Sequence, residues 1–116
     1  MNVAEAAQKI NGTLMAGNSG TDREIQGGYA SDLLSDVMGN SREADIWVTM
    51  QKHVNVVAVA QLNGLAAIVL VNGRKPEPDT LARAEELGIP VITTPLQAFD
   101  VIGILFMQGV RGRSSV

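Results

Sequence analysis

The sequence predicts a layered α/β domain: a mainly parallel sheet flanked by helices. Three observations predict it. Residues 66–71, Ala66-Ala67-Ile68-Val69-Leu70-Val71, run apolar without polar alternation and turn abruptly into Asn72-Gly73-Arg74. That is the pattern of a strand covered on both faces, as in the middle of a parallel sheet. From residue 31 onward, helix-like and strand-like segments alternate. The spacing between successive strands suits crossover helices.

The elements follow in order. Val3, Ala6, Ala7 and Ile10 repeat at helical spacing, with Gly12 as a stop. A short strand follows at 13–16, then a polar loop at 17–23 rich in turn formers. Residues 25–30 form a second strand carrying Gly27-Gly28, and paired glycines inside a strand imply a bulge or a close backbone approach. A helix at 31–39 takes Ser31 as N-cap, presents Leu33, Leu34, Val37 and Met38, and stops at Gly39. Residues 46–50 are the next strand. The valines at 54, 56, 57 and 59 favour a strand by propensity. Two flanking strands require a crossover instead, and Asn63-Gly64 is a good helix stop, so 53–62 reads as a helix. After the central strand, a proline start and Gly88-Ile89-Pro90 punctuate a helix at 80–87. Residues 91–93 are a short strand. Thr94-Pro95 reads as an N-cap and first helical position for a last helix at 96–107. One domain over residues 1–109 is expected, with 110–116 a flexible C-terminal tail.

Bulk properties limit the function. At 116 residues the chain can bury a sizeable core. A net charge of −3 and four dispersed aromatics, Tyr29, Trp47, Phe99 and Phe106, give neither an attraction to nucleic acid or membrane nor a base-stacking platform. There is no cysteine, so no disulfide framework and no thiolate metal site. No apolar run reaches the ~20 residues that span a bilayer. The N-terminus lacks a basic start followed by an apolar run, so a cytoplasmic location is expected.

In open α/β sheets, ligands bind beyond the carboxyl ends of the strands. That edge gathers Gly28, Ser31 and Asp32 after one strand and Thr49, Gln51, His53 and Asn55 after another. Asn72, Gly73, Thr93 and Thr94 complete it. Small hydroxyls, amides and three helix starts, after Ser31, His53 and Thr94, suit a small anionic metabolite or nucleotide. The same residue types also serve as caps and turns whatever the function. His53 reads first as a helix cap, and otherwise as a phosphate ligand or an acid/base. Asp32 and Asp36 fall one helical turn apart and read as a cap and a solvated residue before a magnesium pair. No metal, cofactor or catalytic residue is expected. A phosphate loop needs G-x-x-x-x-G-K-[ST]. Residues 12–19, Gly12-Thr13-Leu14-Met15-Ala16-Gly17-Asn18-Ser19, carry the glycines but have Asn18 in place of the lysine. There is no G-x-S-x-G elbow either.

The last helix carries Leu96, Phe99, Val101, Ile102, Ile104, Leu105 and Phe106 around nearly its whole circumference, and the crossover at 53–62 is similarly apolar. A domain this small cannot bury both on all sides. One or both therefore form a homodimer or higher oligomer.

Across 3–109 the chain resembles the DRTGG domain. The resemblance rests on Asp22-Arg23-Glu24-Ile25-Gln26-Gly27-Gly28-Tyr29, on 31–38, on Asp45-Ile46-Trp47-Val48-Thr49, on 51–60, on Val71-Asn72-Gly73-Arg74 and on 82–91. Asp22-Arg23 and Gly27-Gly28 supply letters of the family's name, whereas 24–26 contain no threonine. Where larger members show Gly-Asp-Arg before the middle strand, this chain has Gly39-Asn40-Ser41-Arg42. The resemblance implies a fold similar to the N-terminal domain of HPr serine kinase/phosphorylase, without its kinase domain. It also implies a regulatory, ligand-sensing or dimer-forming role rather than catalysis. The alternatives are an assembly subunit of a larger enzyme or signalling complex, held by a partner protein with no small-molecule pocket, and, less favoured, a kinase-related enzyme.

Overall fold

The computed structural model describes residues 1–114. Its elements are α1 (Val3–Lys9), β1 (Thr13–Ala16), a 3-10 turn (Asn18–Gly20), β2 (Gly27–Ala30), α2 (Leu34–Asn40), β3 (Asp45–Thr49), α3 (Asn55–Asn63), β4 (Ala67–Leu70), α4 (Pro78–Leu87), β5 (Val91–Thr93) and α5 (Ala98–Met107). The sheet order is β1-β5-β4-β3-β2. All neighbours are parallel except β1, which runs antiparallel to β5.

The sheet separates two cores, and alternation along the central strands assigns side chains to each. Trp47, Ile68 and Leu70 join the core under α2, α3 and α4. Ile46, Val48, Val69 and Val71 join the core under α1 and α5. Every residue of β3 and β4 is buried; in β4 this gives an uninterrupted apolar run, while β3 also buries Asp45 and Thr49.

The helix at 53–62 is confirmed as α3, which ends at Gly64 in the left-handed region. Topology overrode the strand propensity of its valines. Its apolar circumference is spent inside the chain: α3 packs between α2 and α4 and buries Val56, Val57, Val59 and Ala60. Of its large apolar side chains only Leu62 is exposed. The apolar sequence of α3 is thus accounted for by packing within the chain and needs no oligomer contact.

Four helix ends also differ. α1 begins with a capping box between Asn2 and Glu5 that the apolar repeat did not signal. α2 begins at Leu34 rather than Ser31. The Ser31 hydroxyl instead accepts the Leu33 N–H (3.1 Å), and the chain stays extended through Leu33 before winding. Gly39 lies within α2 and does not end it. α5 begins at Ala98 rather than after Thr94, because the Thr94 hydroxyl donates to the Ile10 carbonyl (2.7 Å) and accepts from the Leu96 N–H (3.2 Å).

Ile68 is fully buried at the centre of β4. Ile68→Ala is expected to cost about 2–5 kcal/mol of stability with little change in denaturant slope, measured by urea unfolding.

Candidate functional site

At the carboxyl end of β2 and β3, one carboxylate joins the two strand exits. Asp32 Oδ1 accepts from the Thr49 hydroxyl (2.8 Å) and from the Met50 N–H (2.7 Å). The Gln51 side-chain amide donates to the Asp32 carbonyl (3.0 Å), and the Gln51 N–H donates to the Thr49 hydroxyl (3.2 Å). Trp47 fixes the strand end from below, since its indole N–H donates to the Ser31 carbonyl (2.9 Å). Beside this clamp, on the α5 side of the sheet, lies a cleft of ≈ 240 Å³. It is lined by Ala30, Ser31, Asp32, Val48, Thr49, Met50, Val71 and Ala98.

The candidate residues divide accordingly. Ser31, Asp32 and Thr49 line the cleft, and Gln51 braces it. Asn72 stands close by, its amide 3.3 Å from the Met50 sulfur. His53 caps: its Nδ1 accepts the Asn55 N–H (3.2 Å), so both residues serve the first turn of α3. The Gly73 N–H donates to the Thr94 carbonyl (2.8 Å), and the Thr93 hydroxyl to the Arg74 carbonyl (2.6 Å). These bonds join the loops after β4 and β5, while the Thr94 side chain is spent on α1. Gly28 sits inside β2, away from the rim. The lining positions not among the sequence candidates are Ala30, Val48, Met50, Val71 and Ala98. Small side chains at 30 and 98 leave the space, a signal readable only once the strands are paired.

Asp32 and Asp36 do not converge on a shared ion. Asp32 precedes α2 and reaches β3, whereas Asp36 Oδ1 accepts from the Tyr29 hydroxyl (2.9 Å) and the Asn40 amide (3.0 Å). Hydrogen bonding from Ser31, then from Tyr29, with a smaller share from Asn40, holds the Asp36 carboxyl below its usual range. The Tyr29 phenol is pushed up, first by burial and then by its bond to Asp36. Among the described residues no three His, Cys, Asp or Glu side chains gather as a metal site. No described helix is long and apolar enough to cross a membrane.

Chemically the cleft offers a carboxylate and hydroxyls on a partly apolar floor. Asp32 is its only charged lining residue. The arrangement favours a hydroxyl- or amine-bearing group and opposes a phosphate seated directly against it.

A mostly parallel five-stranded sheet covered by helices on both faces defines an α/β domain. Residues 5–107 match the DRTGG domain, and the chain belongs to that family. No curated protein matches the chain. Its fold is similar to the CBS and DRTGG domains of the regulatory region of Clostridium perfringens pyrophosphatase, a structure complexed with the activator diadenosine tetraphosphate. The TM-score is 0.69 at 13% identity, over 90% of this chain and 45% of that one. The chain thus spans less than half the length of that structure.

Tyr29 is the single tyrosine, so its ionisation reads directly as phenolate absorbance. The midpoint is expected above the ordinary value of about 10, and Asp36→Asn should lower it. The folded chain holds this proton more tightly than the unfolded chain. The contact therefore stabilises the fold below that ordinary value, and its contribution is lost as pH rises through the folded pKa.

Proposed function

We propose that this chain is a non-catalytic regulatory module that senses a small ligand of the nucleotide class and works as a homodimer. The observation that carries the sensing role is the clamped cleft at the carboxyl rim of the parallel strands, the position where open α/β sheets hold ligands. Membership in the DRTGG family and the nucleotide activator of the similar regulatory region support the ligand class. The electrostatics orient such a ligand. The base or sugar hydroxyls face Asp32, and the phosphates lie outward, away from the carboxylate.

The test is a thermal-shift screen with ATP, AMP, diadenosine tetraphosphate and unphosphorylated nucleosides. A specific ligand stabilises by ~2.7 kcal/mol at about a hundredfold excess over Kd. The shift should vanish in Asp32→Ala and persist in His53→Ala, because His53 only caps α3. Flat curves across the whole screen would reject the ligand.

The homodimer rests on α5. Phe99 and Met107 are 84% and 83% exposed, and Ile102 and Phe106 are also open to solvent. A contiguous apolar helix face of this kind is the mark of an association surface. The same face favours the second reading, an assembly subunit of a larger complex with no small-molecule pocket. Sedimentation at micromolar concentration separates the two. A dimer that Phe99→Asp converts to a monomer supports self-association, and a wild-type monomer shifts the role of α5 to a different protein.

A further inference from the structure

α5 ends at Met107, and the chain passes through Gly109 at φ 99°, a left-handed geometry suited to glycine. Residues 110–113 then run along the edge of β2 that no strand occupies. The Gly28 N–H donates to the Arg111 carbonyl (3.0 Å). Arg113 Nη2 donates to Asp45 Oδ1 (2.5 Å) and to the Glu43 carbonyl (2.7 Å). The Arg111 guanidinium lies 3.6 Å from the centroid of the Phe106 ring. This approach explains the paired glycines. A Cβ on Gly27 would stand 2.5 Å from Arg113 Nε and 2.7 Å from Asp45 Oδ1, and one on Gly28 would stand 3.3 Å from Val110 Cγ1. Residues 115 and 116 lie outside the described residues.

Under the segment is a cavity of ≈ 170 Å³ between β2, β3 and α5. Ile46, Val48, Leu105 and Phe106 line it, and Val110 closes one side. We propose that residues 110–113 form a latch, keyed by the Arg113–Asp45 pair, which opens as a unit while the sheet stays folded. Closed, it covers the free edge of β2 and walls one side of the apolar slot behind it. It thus acts as an internal block to strand addition at an edge that would otherwise be a pairing template.

The attachment has the character of a part that opens locally. It contributes one backbone hydrogen bond to β2, and Arg111 and Gly112 are exposed. Its single deep anchor is Asp45, which is 2% exposed. Asp45 also accepts the Arg42 N–H (2.8 Å), so the carboxylate keeps a partner when Arg113 leaves. The latch is independent of the ligand reading, because it lies along the β2 edge rather than against Asp32.

Amide hydrogen exchange on the 116-residue chain tests it. Arg113→Ala is made together with Asp45→Asn, so that no buried carboxylate loses its cation. The Gly28 amide is expected to exchange at least about tenfold faster, with the Ile68 and Leu70 amides unchanged. Gly27→Ala, a wedge that leaves both charges in place, should give the same pattern. Equal acceleration in β4, or loss of folding in either variant, would make the segment part of the cooperative core and overturn the latch. Unchanged exchange at Gly28 would overturn it too.

Discussion

The structure depends on one constraint: β3 and β4 are buried on both faces. A strand in that position needs apolar side chains pointing both ways, and it needs a helical layer above and below. Trp47, Ile68 and Leu70 require α3 and α4 on one side, while Ile46, Val48, Val69 and Val71 require α1 and α5 on the other. Parallel pairing then requires crossovers, and crossovers bring the strand exits to one rim. The cleft beside Asp32 follows from this chain of requirements.

How much of this was legible in sequence depended on the kind of signal. The uninterrupted run ending at Val71 disclosed the doubly covered strand, because burial on both faces removes polar alternation. The crossover at α3 was legible only through its neighbours, since its valines by themselves favour a strand. The caps were less legible. Ser31 and Thr94 are good capping residues, yet each hydroxyl is taken by a contact in a turn or on another element. Local propensity carries no record of such partners.

The candidate site was half legible for the same reason. Ser31, Asp32, Thr49 and Gln51 meet because their strands are adjacent and parallel. His53 and Thr94 are equally polar, yet their side chains are engaged in a local and a buried hydrogen bond. Gly27-Gly28 was read as a place of close backbone approach, which it is. The approaching segment, residues 110–113, reads as tail in the sequence, because nothing in Arg111-Gly112-Arg113 marks Asp45 as its partner from 68 residues away.

The antiparallel strand at the sheet's margin has a consequence for how the chain comes into being. β1, the first strand of the domain, finds its neighbour only in β5, the last, and α1 leans on the carbonyl-to-hydroxyl contact between Ile10 and Thr94. Contacts at such separation close slowly and late. Within this domain, β1 therefore joins the sheet only once β5 is in place.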